Sequence, residues 1–171
     1  MAPRAESGPW AWVSLVGTNR FAGLEGKADL LCAASDGQRV FFGTRGKGIG
    51  VWDRQQAEVR LQFHSSLNGP AQLRSDTSLD LAYSDGSLVQ VTGDNAVDLL
   101  GGSGRVGLVP PDTAPMAAGE IVTADAMGPL FVCASRNRVG LYNALNFSWT
   151  ELPALSDIER LAISRDRIWV A

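Results

Sequence analysis

The sequence predicts an all-β fold, built as an array of antiparallel four-stranded repeats of roughly 40 residues. Three observations carry this. The apolar segments are short and rich in Val, Ile, Leu, Phe and Trp, as in "RVFFGT", "SLVQVT", "PLFVCAS" and "RIWVA". Gly, Asp, Asn, Ser or Pro interrupts each of them, which is the punctuation of turns. The same order of strand, turn, apolar strand and small residue recurs along the chain.

Residues 1–26 precede the repeats and hold one apolar patch, Trp10 to Val16, which reads as a strand completing some repeat. It is too short and too lightly basic for a signal sequence. The first repeat, 27–70, opens on "LLCAASDGQRVFFGT" (Leu30–Thr44) and passes through a glycine-rich turn into "IGVWD". The second, 71–112, holds "SLDLAYS" and "SLVQVTG"; in the latter Leu88, Gln90 and Thr92 point one way, and Val89 and Val91 the other. A glycine and proline loop, Gly101–Pro115, follows. The third repeat, 116–155, holds "IVTADAMGPLFVCAS" and "RVGLYN". Thr113–Met127 is the best helical candidate in the chain, but Pro115 and Gly119 cut it. A partial fourth repeat, 156–171, ends in "RIWVA".

The copies align. With one gap, Cys32–Ser35 falls on Leu161–Ser164, and Arg39–Gly43 falls on Arg167–Ala171. Phe42, Leu81, Val132 and Val170 are taken as equivalent. A strand-only period of this length is that of one β-propeller blade. A single blade has two apolar faces and too little core to stand alone, so it needs neighbours stacked on both sides. Small residues let strands crowd an axis, so Phe42-Gly43-Thr44, Val132-Cys133-Ala134 and Val170-Ala171 are expected on the innermost strands. Three and a half repeats do not make a closed ring. The expected architecture is a β-propeller-like array with an open edge, which pairs with further blades or another chain.

"RVFFGTRGKGIGVWD" resembles the repeat of two-component-regulator propellers: apolar residues, Gly-Thr, glycines, then an apolar–aromatic–Asp strand. "RIWVA" is similar to the start of another such repeat. "VGLYNALNFSWTELPAL" is similar to a kelch repeat, with Tyr142 seven positions before Trp149. WD-repeat blades share the same plan, although most copies here lack their aspartates. The resemblance implies a sensory or ligand-binding role, with a small molecule near the axis against Thr44, Tyr83 and Ser135.

Composition narrows the function. The chain has 171 residues, 45% of them apolar, and a net charge of −3. That balance argues against a nucleic-acid or anionic-membrane surface, which needs clustered Lys and Arg. No membrane-length apolar run is present. The chain reads as soluble and cytoplasmic. Cys32 and Cys133 lie in apolar stretches and read as buried thiols. With one histidine and no Cys-x-x-Cys pair, no metal or cofactor is expected.

The glycines of Phe41–Asp53 raise the question of phosphate binding. Lys47 is followed by Gly48 where a P-loop needs Ser or Thr, and a strand follows instead of a helix. The reading is a hairpin turn, with Arg45 and Lys47 offered to an acidic partner. His64 stands beside Ser65 and Ser66, but neighbours on one turn are not expected to align as nucleophile and base. The carboxylates Asp76, Asp80, Asp85, Asp94 and Asp98 follow no calcium-loop or glycosidase pattern. Trp10 and Trp12 lie outside the clear repeats and are candidate interface anchors. The expected function is a noncatalytic protein–protein interaction scaffold. A sensory, ligand-binding propeller segment is the alternative, and a hydrolase or lyase the third reading.

Overall fold

The computed structural model describes residues 28–53, 59–94, 96–101, 104–107, 121–143, 145, 148–152 and 155–171. Among these, every regular element is a strand, apart from one 3-10 turn at Gly69–Ala71. No helix among them is long and apolar enough to cross a membrane.

The first sheet contains β1 (Leu30–Ser35), β2 (Arg39–Thr44), β3 (Ile49–Asp53) and β4 (Arg60–Phe63), hydrogen-bonded in chain order. The second repeats the plan with β5 (Ser78–Ser84), β6 (Ser87–Thr92), β7 (Val97–Gly101) and β8 (Gly104–Gly107). The third does so with β9 (Ile121–Met127), β10 (Leu130–Ser135), β11 (Val139–Asn143) and β12 (Ser148–Glu151). The fourth is a two-stranded sheet of β13 (Leu161–Ile163) and β14 (Ile168–Val170). All pairings between these strands are antiparallel, and none of these sheets closes on itself. Ile121–Met127 is a strand, as its place in the third repeat predicts; residues 113–120 of the helical candidate lie outside the described residues.

Turn chemistry sets these hairpins. Ser84 pairs with Ser87 across Asp85-Gly86, and both turn residues have positive φ, 48° and 79°. That is the twist a two-residue hairpin loop needs, and Asp-Gly supplies it.

The sheets stack through their first strands, with β1 on β5, β5 on β9 and β9 on β13. The innermost strands are therefore β1, β5, β9 and β13. This corrects the expectation that Phe42–Thr44, Val132–Ala134 and Val170–Ala171 line the axis; Phe42–Thr44, Val132–Ala134 and Val170 belong to second strands, and Ala171 follows β14. The near-continuous apolar character of β2, β6 and β10 has another cause. β6 and β10 are sandwiched between sheets, so both of their faces are buried; β2 has a neighbouring sheet on one side, and its Arg39 and Val40 stay partly exposed.

Register also corrects the repeat alignment. Ser35 pairs with Val40, and Ile163 with Ile168, so the first and last repeats match without a gap. The equivalent cross-strand pairs are Ala34–Phe41, Ala82–Val89, Asp125–Val132 and Ala162–Trp169. Leu81 lies on a first strand and is no counterpart of Phe42. The apolar core forms between sheets. Phe41 packs with Leu81, Leu88 and Leu100; Val89 with Phe131, Cys133 and Tyr142; Val132 with Leu161, Ile168 and Val170.

Candidate interaction surface

The second strands of the three complete blades end on a hydroxyl residue, Thr44, Thr92 and Ser135, and all three are buried. Thr44 Oγ1 donates to the Gly48 carbonyl at 2.7 Å and accepts from the Lys47 N–H at 3.0 Å. Thr92 Oγ1 accepts from the Ala96 N–H at 2.9 Å. Ser135 Oγ donates to Asn137 Oδ1 at 3.2 Å, beside the bond from the Ser135 N–H to the Arg138 carbonyl at 3.0 Å. The hydroxyl slot therefore closes the turn into the third strand. Sequence reasoning missed Thr92, although its place after "SLVQV" carried the signal. Of the three candidate axis residues, Thr44 and Ser135 thus end second strands, and Tyr83 alone lies on an innermost strand, β5.

The glycine question is settled by space and hydrogen bonds. Gly48 has φ +73°, and a Cβ there would stand 2.3 Å from the Phe63 carbonyl oxygen. Its N–H already donates to the Asp76 carbonyl at 2.9 Å, so it is not presented to a phosphate. Arg45 is exposed and Lys47 half-buried on this turn. Trp10 and Trp12 lie outside the described residues.

A cleft of about 310 Å³ lies between the first two blades, lined among others by Arg39, Phe41, Phe63, Tyr83, Leu88 and Leu100. The Phe41 and Tyr83 rings stack with centroids 5.7 Å apart and planes 13° apart. The Arg39 guanidinium lies 5.2 Å from the Phe41 ring centroid and meets Asp36 Oδ2 at 2.7 Å. Burial works to raise the Asp36 carboxyl, but hydrogen bonds from the Arg39 N–H, the Arg39 guanidinium and the Gln38 N–H outweigh it and hold the pKa below 3.8. The hydrogen bond to Asp36 raises Arg39 in turn. The cleft thus offers an aromatic wall with a fixed, neutralised ion pair at its edge.

Along the axis, each first strand is tied to the next. Cys32 Sγ donates to the Ser78 carbonyl at 3.5 Å. Asp80 Oδ2 accepts from Thr123 Oγ1 at 2.7 Å and from the Ala124 N–H at 3.3 Å. Asp125 Oδ2 accepts from the Ile163 N–H at 2.8 Å. Each aspartate also accepts the N–H of the residue after it through Oδ1. These carboxylates supply acceptors for N–H groups that face away from the second strand. They are structural pins. Burial pushes the thiols of Cys32 and Cys133 up to about 12, so neither is a nucleophile near neutral pH.

The His64 expectation is corrected. The turn after β4 folds Ser66 back, so that Ser66 Oγ lies 2.7 Å from His64 Nδ1, while His64 Nε2 lies 3.2 Å from Asp76 Oδ2. The Ser66 N–H also points at Nδ1, at 3.1 Å, which makes that nitrogen the acceptor and places the proton on Nε2. Serine, imidazole and carboxylate are thus in line. The backbone donors around them are spent within the turn, however. The Ser65 N–H goes to Asp76 Oδ1, the Ser66 N–H to His64, and the Leu67 N–H to the His64 carbonyl. The three N–H groups that follow His64 are thus engaged within the turn. The network locks the loop between the first and second blades.

No protein-family model matches the chain, and no curated relative matches it. Solved structures do. The computationally designed Ika4 protein superposes with a TM-score of 0.64 at 18% identity, over 86% of this chain and 88% of that one. The extracellular domain of BT4673 from B. thetaiotaomicron, assigned as a hybrid two-component system, gives 0.59 at 17% identity over 88% of this chain and 20% of that one. The RRP9 WD40 repeats give 0.55 at 20% identity over 74% and 38%. This chain spans well under half of the last two. Blades stacked by their first strands, together with these likenesses, define a β-propeller fold. Among the described residues it takes the form of an open array of three four-stranded blades and one two-stranded sheet.

Proposed function

We propose that the chain is a noncatalytic protein-interaction module of the propeller type, and that the cleft between its first two blades takes an apolar side chain of the partner. One observation carries this reading: a cleft edged by Arg39 and the half-buried Tyr83 opens between the blades, with the buried Phe41 ring stacked on Tyr83. Aromatic and arginine surfaces of this kind anchor partners. The exposed Arg45 adds a cationic contact for an acidic partner. A net charge of −3 speaks for a protein rather than a nucleic acid or an anionic membrane. Free thiols at Cys32 and Cys133 suit a cytoplasmic setting.

Affinity capture with the wild-type chain and its Tyr83→Ala and Arg45→Glu variants tests this. Partners retained by wild type and lost by Tyr83→Ala support the cleft. Equal capture by all three refutes both contacts. A second reading, a ligand-binding sensory propeller, is favoured by the likeness to the BT4673 extracellular domain and by a cleft volume of small-ligand size. A rise in melting temperature with a metabolite or glycan, abolished by Tyr83→Ala, would favour it.

A further inference from the structure

One cluster of reactive side chains lies outside the cleft: His64, Ser65, Ser66 and Asp76, on the segment that joins β4 to β5. Its hydrogen bonds run in one direction. Two donors point at His64 Nδ1, the Ser66 hydroxyl at 2.7 Å and the Ser66 N–H at 3.1 Å. Nδ1 therefore offers a lone pair, and the Ser66 proton is directed at it. Across the ring, Nε2 lies 3.2 Å from Asp76 Oδ2. The order hydroxyl, imidazole, carboxylate is the one that makes a serine nucleophilic, here with the two ring nitrogens exchanged relative to the usual serine hydrolase.

The base and its carboxylate are held in place. The His64 N–H donates to the Ala71 carbonyl at 3.0 Å, and the His64 carbonyl accepts from the Leu67 and Leu73 N–H groups at 3.1 and 3.2 Å. A Cβ on Gly48 would stand 3.1 Å from His64 Cδ2, so the ring packs on that glycine. Asp76 Oδ1 accepts the Ser65 N–H at 2.7 Å, and Oδ2 accepts from the Ser65 hydroxyl. The His64 and Asp76 side chains are 18% and 19% exposed, while Ser66 is exposed. A fixed base thus lies under an open hydroxyl, which is the arrangement that removes the cost of orienting the two.

We propose that Ser66 is an acyl acceptor, which takes the acyl group of an activated ester or thioester. Ser66 Oγ bonds to the acyl carbon, and the bond from that carbon to the leaving oxygen or sulfur breaks with its electron pair going to the leaving group. The hydroxyl proton passes to His64 Nδ1, where Asp76 stabilises the imidazolium, and then to the leaving group. The surroundings select this chemistry. The N–H groups of Ser65, Ser66 and Leu67 are engaged within the turn. A donor already activated by its leaving group needs less help with its oxyanion, whereas a transferred phosphoryl group needs several donors on its oxygens. The product, an alkyl ester on Ser66, is less activated than its donor and therefore persists. Ser66 stands on the loop that supplies Asn68, Pro70 and Ala71 to the cleft, so the modification falls beside that wall. It goes beyond the interaction role, and the failure of either leaves the other standing.

The test is incubation of the full chain with p-nitrophenyl acetate near neutral pH, with the acetylated residue located by peptide mass spectrometry. Acetyl is expected on Ser66 about 100-fold faster than on Ser65, the exposed neighbour whose hydroxyl faces the carboxylate instead of the base. Ser66→Ala is expected to lose that label. His64→Ala, checked for fold by circular dichroism, is expected to slow labelling of Ser66 to the Ser65 rate. Added imidazole is expected to restore the preference for Ser66, a rescue that a purely structural histidine does not give. Should His64→Ala fail to fold, Asp76→Asn replaces it, and slower labelling of Ser66 is again expected. Equal labelling of Ser65 and Ser66 in the wild-type chain overturns the proposal. So does acetyl confined to lysines, or a folded His64 or Asp76 variant that labels Ser66 at the wild-type rate.

Discussion

The second and fourth sheets set the same strand pair in opposite surroundings. Ala82–Val89 lies between two neighbouring blades, and Val89 has no exposed surface. Ala162–Trp169 has a neighbour on one side only, and the larger side chain is the exposed one. Burial in this fold is thus a property of the stack and not of the hairpin. A hairpin alternates inward and outward residues, and a second blade turns its outward residues into core. This explains why β6 reads as continuously buried while β14 keeps its alternation.

The largest expected effect follows from that contrast. Val89→Asp places a charge in a site with no partner for it, at a cost of about 4 kcal/mol or more, enough to unfold a domain of ordinary stability. Trp169→Asp changes an exposed side chain and is expected to cost under about 0.5 kcal/mol. Urea titrations of the two variants side by side measure this, and equal losses would refute the equivalence of surroundings.

A smaller contrast exists within one turn. Gly46 and Gly48 share positive φ, at 74° and 73°, but only Gly48 meets backbone within reach of a Cβ. Gly46→Ala is expected to cost about 1 kcal/mol from backbone strain, and Gly48→Ala about 3 kcal/mol once the clash with Phe63 is added. Denaturation midpoints of both variants check the order. A Gly48→Ala variant as stable as Gly46→Ala would place the first blade's turn away from β4.

The smallest effect belongs to the Asp36–Arg39 pair at the edge of the cleft. Asp36 has its folded pKa lowered from 3.8, so its contribution to stability is present above pH 3.8 and is lost as pH falls through the lower folded value. Asp36→Asn is expected to lower the melting temperature slightly near neutral pH, and the difference is expected to vanish well below pH 3.8. A difference that is independent of pH would contradict the assignment.

Much of this fold was legible. Alternation in "SLVQVTG", Asp-Gly turns and the recurrence of "RVFFGT" in "RIWVA" are local signals, and they place strands and their period. What was not legible depends on partners distant in the chain. The innermost strand was misassigned because small residues beside large ones mark a sandwiched strand as well as a crowded axis. The pins at Asp80 and Asp125 are invisible in sequence, since Thr123 lies 43 residues beyond Asp80. Gln90 reads as an outward polar residue, yet it is buried, donating to Ser75 and Ser78 while its Oε1 meets no protein partner. The cleft was not legible: Tyr83 reads from sequence as an axis-lining residue, and its stacking on Phe41 joins two blades and leaves no local pattern.

The central claim is that separate repeats are packed first strand against first strand. A double-mutant cycle of Asp80→Ala and Thr123→Val measures it most directly, because the two residues meet only if β5 and β9 are neighbours. A coupling energy on the order of 1 kcal/mol is predicted. Additive effects of the two substitutions would contradict it.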